Sequence, residues 1–218
     1  MMPTYSAILW DMDGTIIDSA PGIFESFRYA FDRLGIESPS DEQLRAYLGP
    51  PLLDTFQEIL GCDEAEARRA VDIYREDYLT RGVYVADVYP GVRECLTDLR
   101  DAGVPLGLAS SKGLSGINLV AEKFDLRGYF DAWGTASDDQ RRSSKAEVVA
   151  YSLDLLQESG HDVSSVILVG DRIHDVDGAA ANGIESVLVG WGYGDESERN
   201  AATHFAATPA DLMRVLGY

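Results

Sequence analysis

The chain is short of cysteine, of basic residues and of long apolar runs, and each shortage removes a class of protein. Two cysteines in 218 residues, Cys62 and Cys95, supply neither a disulfide framework nor zinc-ligand spacing, and both read as inert thiols. Eighteen Lys and Arg stand against 37 Asp and Glu, a net charge of −19. That balance argues against binding nucleic acid or an anionic membrane through bulk charge. No apolar run approaches the ~20 residues that cross a bilayer. Met1-Met2-Pro3-Thr4-Tyr5 lacks a basic segment leading into a long apolar stretch, so no signal peptide is expected and a cytoplasmic location is the default. The acidic residues are spread along the chain and read as a solvated surface. They also set a problem: an anionic substrate needs a pocket whose charge opposes that of the whole protein.

What is present is enough to build a core. The composition is 45% hydrophobic with three tryptophans, and the length suits one domain or a core with a smaller insert. Four short apolar runs read as strands buried on both faces: Ala7-Ile8-Leu9-Trp10, Pro105-Leu106-Gly107-Leu108-Ala109, Val166-Ile167-Leu168-Val169 and Ser186-Val187-Leu188-Val189. Phe130-Asp131-Ala132-Trp133 is a further candidate. Between them lie helix-period segments at 91–102, 114–124, 145–157 and 175–181, which predicts an α/β, Rossmann-like three-layer fold with a parallel sheet. From 21 to 86 the rhythm breaks: Phe24, Phe27, Phe31 and Leu34 recur at helical spacing, as do Leu52, Leu53, Phe56, Ile59 and Leu60, and no strand is evident. This reads as a helical insert, the cap, at 20–86, between core segments 1–19 and 87–218. The polar stretch 195–208 reads as a loop before a last helix at 209–216.

Polar residues follow the apolar runs: Asp11-Met12-Asp13-Gly14-Thr15, Ser110-Ser111-Lys112 and Gly170-Asp171-Arg172-Ile173-His174-Asp175. If the sheet is parallel, these lie along one edge, where ligands of such sheets bind. In an extended chain Asp11 and Asp13 share a face. Asp171 and Asp175 are one helical turn apart, so one can sit near an ion and the other behind it. Clustered carboxylates favour a hard divalent cation such as Mg²⁺. Lys145 adds positive charge and Ser110 a hydroxyl for a phosphate group, so the local pocket can attract an anion. Singly, each has a plain structural reading: a solvated turn, a surface lysine, a helix cap. Their conjunction in this order changes that reading.

The ordered set Asp-x-Asp-Gly-Thr, Ser, Lys, Gly-Asp-x-x-x-Asp resembles the haloacid-dehalogenase-like superfamily in its phosphatase form, over almost the whole chain. Tyr47-Leu48-Gly49-Pro50-Pro51-Leu52, Tyr89-Pro90-Gly91-Val92, Arg141-Arg142-Ser143-Ser144-Lys145 and Gly192-Tyr193-Gly194 are similar to phosphoglycolate-phosphatase-like members, and within them to a bacterial 5′-nucleotidase group. The resemblance implies Asp11 as nucleophile and Asp13 as acid and base. It implies Mg²⁺ on the side chains of Asp11 and Asp171 and the backbone carbonyl of Asp13, with Asp175 behind them. Ser110, the Ser111 N–H and Lys145 would hold the phosphate. The partner is then a small phosphorylated substrate, and the protein a monomer or homodimer. Two features depart from the group: Gly113 stands where a proline is usual, and Ala136-Ser137-Asp138-Asp139-Gln140 is more acidic than its counterpart. A phosphohexose mutase shares the Asp-x-Asp-Gly opening and a helical cap. A phosphonate hydrolase needs a cap lysine, and 21–86 contains none. A non-catalytic binding protein on this scaffold is the remaining alternative.

Overall fold

Every residue of Ala7-Ile8-Leu9-Trp10 is buried, because helices cover the strand on both sides. This strand is β1 (Ala7–Trp10). It is followed by β2 (Ile17–Asp18), then α1 (Ala20–Leu34), α2 (Asp41–Arg45), α3 (Leu52–Leu60) and α4 (Glu64–Tyr78), and then β3 (Asp87–Val88). The rest alternates: α5 (Val92–Asp101), β4 (Leu106–Gly113), α6 (Leu114–Lys123), β5 (Ala132–Ala136), α7 (Lys145–Glu158), β6 (Val166–Gly170), α8 (Ile173–Ala181), β7 (Glu185–Val189), β8 (His204–Ala206) and α9 (Pro209–Leu216). The computed structural model describes residues 5–139 and 141–218. Met1–Thr4, on which the signal-peptide expectation rests, and Gln140 of the acidic stretch lie outside them.

Six strands form one parallel sheet in the order β5-β4-β1-β6-β7-β8. The chain leaves β1 toward β4 on one side and returns to β6 on the other, so the switch in strand order falls at β1. Its carboxyl end is where a crevice opens in this class of sheet. Alternate residues of β1 serve opposite layers. Ala7 and Leu9 pack with Val148, Val149 and Leu156 of α7. Ile8 and Trp10 belong to the larger cluster that includes Leu96 of α5 and Ile117 and Val120 of α6.

The insert leaves and rejoins the core through β2 and β3, which pair antiparallel with Asp18 opposite Asp87. Its interior is aromatic and continues the cluster that holds Ile8 and Trp10. Phe27 and Phe31 of α1 meet Phe56 of α3 and Tyr74 of α4, with ring centroids 5.0–6.1 Å apart, distances at which tilted rings attract beyond simple burial. The structure corrects the sequence expectations at short elements. The loop expected over 195–208 contains β8, and α2 and the β2/β3 ribbon went unseen. Ser110, Ser111 and Lys112 lie within β4 rather than after it, at a register irregularity between Ser110 and Gly113.

Candidate active site

Asp11 follows β1 directly, is 8% exposed, and its carboxylate meets an equally buried ammonium: Lys145 Nζ lies 2.9 Å from Asp11 Oδ1, 2.7 Å from Asp175 Oδ1 and 2.9 Å from the Ala109 carbonyl. Lys145 is the first residue of α7, fixed there by a capping box between Ser144 and Glu147. A cation in the first turn opposes the helix dipole, so the two carboxylates must hold it. Burial alone would lower the Lys145 pKa; Asp11 and Asp175 outweigh that and raise it above its ordinary value. Burial pushes the Asp11 carboxyl up to about 6, with Lys145 pulling the other way.

Asp171 follows β6 and is 1% exposed. Thr15 Oγ1 donates to its Oδ1 at 3.2 Å and the Tyr193 N–H to its Oδ2 at 2.7 Å. Burial, with Asp175 and Asp11 alongside, raises its pKa well above the usual carboxylate range. Asp175 sits one turn into α8 and accepts the Asp171 and Arg172 N–H groups on Oδ2, both at 3.0 Å. It thus braces the loop that presents Asp171, which lies before α8 rather than on it. Two glycines leave room for this packing. A Cβ on Gly14, whose φ is +79°, would lie 2.2 Å from Asp171 Oδ2, and one on Gly192 would lie 2.4 Å from the Gly14 carbonyl.

Asp13, two residues beyond Asp11, has a different cation. Lys112 Nζ lies 2.8 Å from its Oδ2, and Ser19 Oγ donates to its Oδ1 at 2.6 Å. The crowding of like charges implied by Asp-x-Asp is therefore relieved by two separate lysines, one per carboxylate. Ser110 is buried and Ser111 half-buried, and both line a cavity of about 220 Å³ with Asp11, Asp13 and Lys112. The cap supplies the opposite wall, including Ile23, Phe27, Tyr47, Tyr74 and Tyr78. The Gly49-Pro50-Pro51 turn between α2 and α3 also lines it. Arg172 holds that turn in place: its guanidinium donates to the Leu48 carbonyl and pairs with Glu198 at 3.3 Å. Arg28 of α1 pairs with Asp41 of α2 on the surface.

Sequence reasoning did not find the parts played by Thr15, Lys112, Tyr78 and Tyr193. Lys112 was visible as the third residue of a strand-end trio, and Tyr193 as the centre of Gly192-Tyr193-Gly194. Only the fold shows what each touches.

The donor chemistry fits a hard divalent cation. Asp11, Asp171 and Asp175 each place a carboxylate oxygen within 4.8 Å of the others, all three buried. Three carboxylates against one ammonium leave an excess of negative charge that an oxygen-seeking cation offsets.

A family model described as haloacid dehalogenase-like hydrolase matches residues 8–189. The chain is 39% identical over 215 residues to a protein named tyrosine-protein kinase PtkA from Mycobacterium tuberculosis, covering 96% of this chain and 72% of that one. It is 37% identical over 214 residues to a 5′-nucleotidase of Pseudomonas aeruginosa, covering 97% and 96%. The crystal structure of a predicted phosphatase from Clostridium acetobutylicum matches with a TM-score of 0.90 at 33% identity, over 97% of each chain.

Proposed function

This chain belongs to the haloacid dehalogenase-like hydrolases, and we propose that it is a Mg²⁺-dependent phosphomonoesterase that hydrolyses a small phosphorylated metabolite through an aspartyl-phosphate on Asp11. The observation that carries this reading is the division between the two aspartates. Asp11 is buried against Lys145, at the floor of the cavity, while Asp13 is held apart by Lys112 and Ser19. One carboxylate is placed to attack and the other to exchange a proton.

In the first step an Asp11 carboxylate oxygen bonds to phosphorus, the bond from phosphorus to the ester oxygen breaks, and Asp13 gives that oxygen a proton. In the second, Asp13 takes a proton from water as the water attacks the aspartyl-phosphate and frees inorganic phosphate. Ser110, the Ser111 N–H and Lys145 hold the phosphoryl oxygens as charge spreads over them. Asp11 and Asp171 through their carboxylates, and Asp13 through its backbone carbonyl, would hold Mg²⁺, which when bound supplies positive charge against the phosphoryl oxygens. Asp175 keeps Lys145 and the Asp171 loop in place.

The cavity wall selects the leaving group. Its aromatic and aliphatic side chains favour a nucleoside monophosphate over phosphoglycolate, whose carboxylate would have to compete with Asp13 for Lys112. The kinase-named relative supports a second reading, in which a tyrosyl hydroxyl replaces water as acceptor from Asp11.

Both readings meet one experiment. Purified protein is assayed for phosphate release from p-nitrophenyl phosphate and from a nucleoside 5′-monophosphate, with Mg²⁺ and with chelator, and separately with ATP and a tyrosyl peptide. The phosphatase reading expects Mg²⁺-dependent release that Asp11→Asn abolishes. An Asp11→Asn protein as active as the wild type sinks the mechanism, and phosphotyrosine formed without net phosphate release favours transfer.

A further inference from the structure

Lys112 reaches from the core to the cap. It stands near the end of β4, and its ammonium bridges Asp13 Oδ2 at 2.8 Å and the Tyr78 hydroxyl at 2.5 Å. Tyr78 is the last residue of α4 in the cap, and the same ammonium lies 4.5 Å from the centre of its ring. Burying an ammonium is costly unless it is paired. The Lys112 side chain is only 9% exposed, so the carboxylate, the hydroxyl and the ring face together make this position tenable. The other Asp13 oxygen is held by Ser19, the residue before α1, whose N–H donates to the Tyr193 hydroxyl at 2.7 Å. The carboxylate is therefore gripped on both oxygens, and one grip runs through a cap side chain.

We propose that Lys112 is a positioning residue that aims Asp13 at the leaving oxygen, and that its grip on Asp13 depends on Tyr78 of the cap. This rests on the reading of Asp13 as acid and base. When the cap lifts, Tyr78 leaves and the ammonium, on a flexible four-carbon stem, turns toward water. When the cap seats, the bridge re-forms and Asp13 is aimed. Proton delivery is thereby tied to a closed cavity, and a phosphoester bound under an open cap loses the help it needs for its alcohol to depart.

The test compares leaving groups in the full-length protein. p-Nitrophenolate departs with little need of a proton, whereas the alkoxide of a nucleoside 5′-monophosphate needs one. kcat/KM reports the events up to departure of the leaving group, so it isolates the step in question. Tyr78→Phe keeps the ring and removes the hydroxyl; it should lower kcat/KM for the nucleotide about tenfold more than for p-nitrophenyl phosphate, with the loss in kcat rather than KM. Lys112→Met should lower the nucleotide value by about a hundredfold, within the range for a displaced general acid, and Lys112→Arg should recover part of it. Equal losses on both substrates, or no loss on either with Tyr78→Phe, overturn the proposal. The underlying reading fails separately: it falls if Asp13→Asn cleaves the nucleotide at the wild-type rate.

Discussion

Replacing Lys145 with methionine keeps most of the side-chain volume and removes the positive charge that, among the described residues, pairs with both Asp11 and Asp175. The bonds lost are those at 2.9 and 2.7 Å, along with the 2.9 Å donation to the Ala109 carbonyl. Removing one partner of a buried ion pair costs ~3–5 kcal/mol, and two carboxylates are orphaned here, so the upper part of that range applies. For a chain of this size each kcal/mol moves the melting midpoint by ~2–4 °C, so the midpoint should fall by about 10–20 °C. The protein should still fold, since domains hold ~5–15 kcal/mol in reserve. The loss should shrink at low pH, where the Asp11 carboxyl takes up a proton. Activity falls by another route. Asp11 already holds its proton up to about pH 6 with Lys145 beside it; without that ammonium it climbs further, and the phosphoryl group loses a cationic contact. Under the proposed mechanism a fall in kcat/KM of about a thousandfold at pH 7 is expected, from the lost electrostatic stabilisation and the protonation of Asp11 together. The assay is thermal melting at several pH values, with phosphate release on the same samples. A variant that melts with the wild type and keeps more than a tenth of its activity refutes the reasoning.

Three further outcomes follow from the geometry. In the metal-free protein Asp11 titrates near 6 when folded and near its ordinary 3.8 when unfolded. Its contribution to stability is therefore full below about pH 4 and lost as pH rises through 6; melts in chelator should show that decline, and Asp11→Asn should lessen it, leaving the part due to Asp171, whose carboxyl is also raised. Gly192→Ala places a methyl 2.4 Å from the Gly14 carbonyl and 2.3 Å from Asp171 Cβ. It should cost about 2–3 kcal/mol and weaken Mg²⁺ binding, read by melting with and without the metal. The Cys95 thiol is buried and pushed up to about 11, so at pH 8 iodoacetamide should label Cys62 first, as peptide mapping over a time course would show.

The strands were legible because both faces of a parallel strand are covered, which leaves unbroken apolar runs such as Val166–Val169. β8 escaped because it is three residues long at the sheet edge with His204 and Phe205 only half-buried, so it carries no such run. α2 spans five residues with only Leu44 buried, too little for a period to show. In the candidate site, Asp11, Lys145 and Asp171 could be picked out because each follows an apolar run or opens a helix, and Asp175 by its four-residue spacing from Asp171. Lys112 could not be assigned a part, since its meaning comes from Tyr78, on another element and far from it in the chain. The same holds for Thr15 and Tyr193, which meet Asp171 from opposite ends of the sequence.

The β2/β3 ribbon sets Asp18 directly opposite Asp87, so the cap departs and returns at one spot on the core. An insertion whose ends already touch imposes no strain on its host when it changes length, because its closure is made by the ribbon, and the entropy of a longer loop grows only logarithmically. The insert can therefore be shortened, lengthened or exchanged as a cassette while the strands beneath it stay in register. A lineage built on this doorway can change what it recognises without relearning how it reacts.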